Sequence, residues 1–315
     1  MSYNITLISS EKANKYWKKL IKQKRLLYFR KVDINGCCIK LITDQTGTMN
    51  TFGENFYHFG ERHRSHGKLM VFDDKSIKGL KVEYEPYSRT VFIWNCDYYG
   101  YIKSLALSVA GDILEDFHDF HSLHGACLEY QGSGLGIVAP SGTGKTTLGY
   151  GIIRRSRAVL ISDDWFFIRF QNKAAVGMSS EKNVYIRDNI VKDFEEFKPI
   201  IEKTHLDSKH RAVINIRDIV GAYKIREKTT LETIFTLKRD PSDSTIIRKM
   251  EADEMIEYLK LHDFCNPHLL VRDDRKLKIR LKFLNKLFKK ATPYIVNTID
   301  TPKKTIDAML NILDK

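Results

Sequence analysis

The 315-residue chain is poor in cysteine and proline, with five of the first and seven of the second. Cys37, Cys38, Cys96, Cys127 and Cys265 show no C-x-x-C spacing, which indicates neither a zinc site nor a disulfide frame. Such thiols fit a reducing compartment, so a cytoplasmic location is expected. No run of about 18 apolar residues occurs, so neither a membrane span nor a membrane partner is expected. Residues 1–10 lack a basic start followed by an apolar block, so no signal peptide is expected. Negative charge is also scarce: 39 Asp and Glu stand against 52 Lys and Arg, for a net charge of +13. That balance favours an acidic partner such as a nucleotide, RNA or an acidic protein, or else a lysine-rich solvated surface with no partner. A hydrophobic fraction of 43% supports a real core, and the length suits two domains or one large one. No internal repeat or low-complexity segment is present.

The stretch Ala139-Pro-Ser-Gly-Thr-Gly-Lys-Thr146 fits the phosphate-loop pattern G-x-x-x-x-G-K-[ST], with Ala139 in place of the first glycine. An apolar run, Gly134–Val138, reads as a strand before it, and Leu148–Arg155 reads as a helix after it. Strand, glycine loop and helix form the context that this motif needs. Backbone N–H groups of such a loop point at phosphate oxygens, and the helix N-terminus adds partial positive charge. Gly142 and Gly144 allow close approach and positive φ. Ser141, Gly142, Thr143, Gly144, Lys145, Thr146 and Thr147 are therefore the candidate nucleotide-binding residues. Lys145 is placed to reach the terminal phosphates, and the Thr146 hydroxyl to ligate Mg2+. The competing reading is a chance Gly/Ser/Thr turn.

About twenty residues after Lys145, the apolar strand Ala158–Ser162 runs into Asp163-Asp164, and Trp165–Phe170 continues as a second strand. Asp pairs occur in ordinary turns, but strand ends of nucleotide-binding sheets surround the ligand. Asp163 and Asp164 are therefore candidate catalytic residues. His121–Tyr130 reads as a turn entering a strand, joined by Gln131–Gly134 to the strand before the loop, so a hairpin leads into the phosphate loop.

Elsewhere, residues 11–25 read as a basic amphipathic helix with Ala13, Tyr16, Trp17, Leu20 and Ile21 on one face. Leu26–Val32, Cys37–Thr43, Lys68–Phe72, Leu80–Tyr84 and Thr90–Ile93 read as strands, with Asn35-Gly36 as a hairpin turn. Phe52–His66 reads as an irregular polar loop whose histidines match no metal template. Tyr101–Phe117 reads as a helix. Asn183–Arg187, Arg211–Arg217, Thr230–Leu237, Thr245–Met250 and Pro293–Thr298 read as strands. Met255–Leu261, Arg275–Lys290 and Pro302–Leu313 read as helices, the second basic with an apolar stripe of Leu277, Leu281, Leu284 and Phe288. Arg187, Lys209, His210 and Arg211 are either further phosphate contacts or surface charge. A boundary near residues 100–120 separates a β-rich α+β domain, 1–100, from an α/β domain, 101–315.

Residues 118–313 resemble the HPr kinase/phosphorylase-like branch of P-loop kinases, related in fold to phosphoenolpyruvate carboxykinase. The resemblance is carried by Ser122-Leu-His124-Gly125, the phosphate loop, Ser162-Asp163-Asp164 and Val296-Asn-Thr-Ile-Asp-Thr-Pro302. It implies a mixed-sheet P-loop nucleotide-binding domain, ATP and Mg2+ as ligands, and assembly as a homo-oligomer. It implies phosphate binding by Gly142, Thr143, Gly144 and Lys145, and Mg2+ held by Thr146 and one of the two aspartates, taken as Asp164. The other aspartate takes the acceptor's proton, and His124 lies beside the transferring phosphate. Three features depart from the family. Thr147 replaces its glutamate. Tyr185-Ile-Arg187-Asp188 stands where the family has Glu-x-Arg-Gly, leaving Glu181 or Asp188 as the substitute carboxylate. The glycine-rich partner-binding segment has no counterpart. The expected activity is transfer of the γ-phosphate of ATP to a hydroxyl on a protein serine, a small molecule or an RNA ribose. The alternatives are a non-catalytic ATP-binding regulator and a basic nucleic-acid-binding protein.

Overall fold

The computed structural model describes residues 4–140 and 143–314. Ser141 and Gly142 of the phosphate loop lie outside the described residues. The chain forms a mixed α/β structure with two large mixed sheets. The first sheet contains β1 (Ile5–Leu7), β2 (Tyr28–Ile34), β3 (Cys37–Thr43), β4 (Tyr57–His58), β5 (Gly67–Phe72), β6 (Lys81–Glu85) and β7 (Thr90–Trp94), in the order β1-β6-β7-β5-β3-β2-β4. Asn35 and Gly36 both have positive φ and close the β2–β3 hairpin as expected. Helix α1 (Ser10–Lys22) is capped by Ser9 and buries Ala13 and Leu20, whereas Ile21 is exposed. Two lysines of its polar face are occupied, Lys12 by Glu83 at 2.7 Å and Lys19 by Asp74 at 2.6 Å.

The segment expected as an irregular loop begins as a helix. Helix α2 (Thr46–Asn55) contains two glycines and several Thr and Asn, so its own propensity is low. Burial of Phe52 and of the neighbouring Phe56 in the core holds it instead.

Helix α3 (Tyr99–His118) follows and is buried along nearly its whole length. Its side chains join residues of the first sheet to Phe120, Trp165 and Phe167 of the second in one continuous hydrophobic core. The second sheet comprises β8 (Phe120–Tyr130), β9 (Ser133–Val138), β10 (Ala158–Ser162), β11 (Trp165–Gln171), β12 (Ala174–Ser179), β15 (Lys228–Lys238), β16 (Ile247–Lys249) and β17 (Thr292–Asn297). β13 (Val184–Arg187) and β14 (Arg211–Ile214) form a separate antiparallel pair. The expected strand Arg211–Arg217 thus stops at Ile214, and Arg217–Val220 turns as a short helix. β12, without dense β-branched residues, gave no strand signal and is held by β11 and β15 on either side.

The parallel strands β9, β15 and β17 carry helix α4 (Lys145–Ile153) and helix α9 (Pro302–Leu313) on one face. Helix α7 (Ala252–Leu261) and helix α8 (Asp274–Phe288) cover another hydrophobic cluster of the same sheet. The buried face of α8 differs from the expected stripe. Leu277 is exposed, whereas Lys276, Arg280, Phe283 and Leu287 are buried with Leu284 and Phe288. The reason is a band of acids on α3. Lys276 meets Asp112 at 2.7 Å and Asp116 at 2.6 Å, while Arg280 meets Glu115 at 3.2 Å and donates to the Ser122 carbonyl at 2.6 Å. Burial opposes the Glu115 charge, but Arg280, His121 and Lys276 hold its carboxyl down at about 2.

The long strand β8 sets the later geometry. Its first half pairs with β11 and its second half with β10, so the β10–β11 junction faces the middle of β8. At that point the Gly125 amide donates to the Asp164 carbonyl at 2.8 Å. A Cβ on Gly125 would stand 2.6 Å from the Ile137 carbonyl oxygen of β9. Gly125→Ala is therefore expected to cost about 1–3 kcal/mol by overpacking against backbone. Urea unfolding checks this; a loss below about 0.5 kcal/mol, the level of an ordinary surface change, contradicts it.

Candidate active site

The site is assembled where four chain segments meet the β10–β11 junction. The Ser162 hydroxyl donates to the Trp165 carbonyl across that junction, and the Ser180 hydroxyl donates to the same oxygen at 2.7 Å. This double contact ties the ends of β10 and β11 together, so Asp163 and Asp164 project from a fixed turn.

Asp164 is the hub. Its Oδ1 accepts from Lys145 Nζ at 2.8 Å, and its Oδ2 accepts from Lys103 Nζ at 2.8 Å. His124 Nε2 lies 3.3 Å from Oδ1 and 3.4 Å from Lys145 Nζ. The other ring nitrogen, Nδ1, is 2.9 Å from the Cys265 carbonyl. A carbonyl only accepts, so Nδ1 carries a proton and Nε2 faces the charged pair. Asp263, Phe264 and Cys265 all have φ of 52–53°, a left-handed run that turns the Cys265 carbonyl toward the ring.

Lys103 had no role in the sequence reading. It projects from α3 with its side chain 2% exposed and also meets Glu181 at 3.1 Å. The second oxygen system of this network is anchored by Asn55 at the end of α2, whose Nδ2 donates to Glu181 Oε1 at 2.8 Å. A signal for Lys103 existed, since it is the one charged residue in the otherwise uncharged run Tyr101–Ala110.

These contacts drive the two adjacent carboxyls apart. For Asp164, burial disfavours charge, but the ammonium groups of Lys103 and Lys145 and the His124 ring together hold the carboxyl well below its ordinary range. For Asp163, burial and the neighbouring Asp164 charge push the pKa up from 3.8 to about 7. Among the described residues no cation forms an ion pair with Asp163, and the charges of Lys145 and Lys103, engaged on Asp164, offset its rise only in part. Glu181 is also raised, by burial above all. Burial opposes the Lys103 charge, yet Asp164 and Glu181 raise its pKa and keep the ammonium protonated. His268, whose ring lies 6.0 Å from that of His124, is lowered to about 3 by burial and by His124, and so stays neutral at ordinary pH.

The described part of the glycine loop, 143–147, turns directly into α4. Gly144 takes φ 99° and caps α4, and a Cβ there would meet nothing within 4 Å. The Thr143 hydroxyl donates to the Pro140 carbonyl at 2.8 Å, and Thr147 donates to Asp193 at 3.3 Å. Ala139, in place of a first glycine, is buried against Leu148 and its neighbours. Among the described residues no three His, Cys, Asp or Glu side chains gather as a metal cluster. Magnesium shared with phosphate oxygens needs only one or two protein carboxylates. Thr146 opens α4 beside Lys145, and Asp164 is within 2.8 Å of that lysine, so the donors present fit such an ion.

Of the two candidate carboxylates Glu181 and Asp188, the structure brings Glu181 to the aspartates, where both it and Asp164 meet Lys103. Asp188 instead faces His210 at 3.3 Å. Tyr185 is buried; its hydroxyl donates to Asp207 and its ring centroid lies 5.7 Å from Lys103 Nζ. Arg187 pairs in register with Arg211 on the β13–β14 hairpin, and Arg211 stands over the Tyr185 ring at 5.7 Å. Neither arginine, nor Lys209 or His210, lines the cavity at the aspartates.

No protein-family model and no curated protein matches the chain. Among solved structures, the HPr(Ser) kinase/phosphatase from Coxiella burnetii is a weak neighbour. It is 12% identical, with a TM-score of 0.36, over 61% of this chain and 90% of that one.

Two outcomes follow from the charges. Removing the buried Lys103 ammonium leaves the buried Glu181 without its cation and the partly exposed Asp164 with one partner fewer, so Lys103→Ala should cost about 3 kcal/mol in urea unfolding. A cost under about 1 kcal/mol, the size of a surface ion pair, would refute the network. The second concerns Asp163, an acid whose pKa is higher folded than unfolded. The folded state binds its proton more tightly, so its stabilising contribution is full below about pH 4 and is lost as pH rises toward 7. Relative to Asp163→Asn, which does not titrate, the wild type should lose up to about 4 kcal/mol between those limits. Unfolding both proteins at pH 5 and pH 8 measures this; an unchanged difference contradicts it.

Proposed function

We propose that the protein is a kinase that uses ATP and Mg2+ to transfer the γ-phosphate to a hydroxyl acceptor. One observation carries this reading: a loop lysine, Lys145, is 2.8 Å from Asp164, while the adjacent Asp163 forms no ion pair among the described residues and is raised to about 7. Phosphoryl transfer needs positive charge at the phosphates, alignment, and a base for the incoming hydroxyl. A carboxylate poised near working pH suits the last role.

In this reading Asp163 is the base. Its carboxylate accepts the proton of the acceptor hydroxyl as that oxygen bonds to the γ-phosphorus, and the bond from γ-phosphorus to the β-bridging oxygen breaks to release ADP. Lys145 turns from Asp164 toward the phosphates, which the Gly144–Thr147 turn and the N-terminus of α4 hold through backbone N–H groups. Lys103 remains on Asp164 and keeps it ionised. Thr146 and Asp164 would hold Mg2+, which neutralises phosphate charge when bound. His124, fixed by the Cys265 carbonyl, presents Nε2 beside Lys145 and the transferring group.

The test is transfer of label from γ-32P-ATP with Mg2+ into a cell extract separated into protein, RNA and small molecules. Wild-type protein should label one fraction, with a rate that rises as pH passes about 7. Lys145→Ala should abolish labelling, and Asp163→Asn should lower it by about 100-fold or more, the weight of a general base. Undiminished labelling by Asp163→Asn would remove Asp163 as the base. No label with wild-type protein that still binds ATP would replace the kinase by a non-catalytic nucleotide-binding protein.

A further inference from the structure

A cavity of about 180 Å³ opens at the aspartates. Its wall includes Tyr57, Asp163, Lys182, Arg217, Arg226 and Glu227. Asp163 is only 9% exposed, so a hydroxyl that is to meet its carboxylate must enter this cavity. The wall has contributions from both halves of the chain, because Tyr57 comes from β4 of the first sheet.

The cations of this wall are not equivalent. Arg226 is engaged by the Glu129 carboxylate. Arg217 has no carboxylate partner among the described residues: it donates to the Lys182 carbonyl at 3.0 Å and to the Tyr57 hydroxyl at 3.4 Å. These neutral contacts fix the guanidinium at the wall, and among the described residues no ion pair engages it. Lys182 likewise has no carboxylate partner among the described residues. Of the acids beside the cavity, Asp164 and Glu181 share Lys103. The cavity therefore places an arginine held by neutral contacts, and a lysine, in the same wall as the Asp163 carboxylate.

Resting on the kinase reading, we infer that the acceptor is a small alcohol that also carries an anionic group, a carboxylate or a phosphate. Arg217, with Lys182, holds the anion, and Asp163 receives the hydroxyl proton. The planar guanidinium offers a two-pronged contact that either anion accepts. The alcohol oxygen gains the γ-phosphoryl group from ATP, its proton passes to Asp163, and ADP departs with the electron pair of the broken P–O bond. A protein serine or an RNA ribose fits less well, because a folded polymer must thread its hydroxyl past Tyr57 and Arg217 to reach a carboxylate that is nearly buried. Net positive charge on the chain would draw the anionic alcohol in.

The experiment uses the full chain and a metabolite extract passed over an anion exchanger, giving a neutral pool and a retained anionic pool, each supplied with γ-32P-ATP and Mg2+. Protein and RNA from the same cells are tested beside them. Phosphatase treatment and carbodiimide capture of the acceptor then separate phosphate-bearing from carboxylate-bearing alcohols. The expected result is label in the anionic pool alone, reduced at least about tenfold at fixed acceptor concentration by Arg217→Ala, as loss of one charged contact implies, with partial recovery in Arg217→Lys. Lys173→Ala, which removes one positive charge from the distant β11–β12 turn, should leave labelling unchanged. Melting curves check that Arg217→Ala folds. Label in the neutral pool, in protein or in RNA would overturn the anionic small-alcohol acceptor while the kinase reading stands. So would anionic-pool labelling that Arg217→Ala leaves intact. Absence of label everywhere, with ATP still bound, would overturn the kinase reading and this inference together.

Discussion

The charge on Asp164 is the constraint around which the site is built. A carboxylate in a nearly buried turn is costly unless it is paired. Here two ammonium groups from different parts of the chain, Lys103 and Lys145, meet its two oxygens at 2.8 Å each. Once Asp164 is held ionised, its neighbour cannot ionise easily. Asp163 lies in the same buried turn, next to a fixed negative charge, and is raised to about 7. Two adjacent residues of one kind thus acquire opposite tendencies from their partners alone, the pattern by which carboxyl pairs divide acid–base labour.

The fold exists in the form that this arrangement requires. Lys103 reaches Asp164 because α3 lies buried between the two sheets. His124 reaches it because β8 pairs with β10 and β11 on either side of the aspartate turn. Lys145 comes from the opposite strand of the same hairpin, through β9 and the phosphate loop. Asn55, at the end of α2, steadies Glu181 and hence the second contact of Lys103. The first sheet therefore contributes to the chemistry of the second through α2 and α3 rather than standing apart from it.

The parts legible in the sequence are those written in short, local patterns. The strand and helix on either side of the glycine loop, the Asp163-Asp164 strand end and the hairpin before the loop each lie in a contiguous stretch with a turn or strand context. Most strands and helices follow from apolar periodicity to within two or three residues, as with Cys37–Thr43 and Pro302–Leu313. Illegible were the features created by tertiary contact. Helix α2 has weak propensity and exists because Phe52 is buried. The inner face of helix α8 is legible in Leu281, Leu284 and Phe288 but not in Lys276 and Arg280, since periodicity counts those two as solvated and cannot see the acids of α3 opposite them. Lys103 looked like one more lysine in a basic chain. The Cys265 carbonyl that orients His124 comes from 141 residues away, and a backbone oxygen leaves no trace in a residue pattern.

Site-resolved titration of the aspartate carboxyls by carbon-13 NMR tests this account most directly. It predicts that Asp163 titrates with a midpoint near 7 while Asp164 remains ionised to well below the ordinary carboxylate range. If both carboxyls titrated together near their ordinary value of about 4, the lysine clamp would not separate them, and the assignment of Asp163 as the proton acceptor would fail.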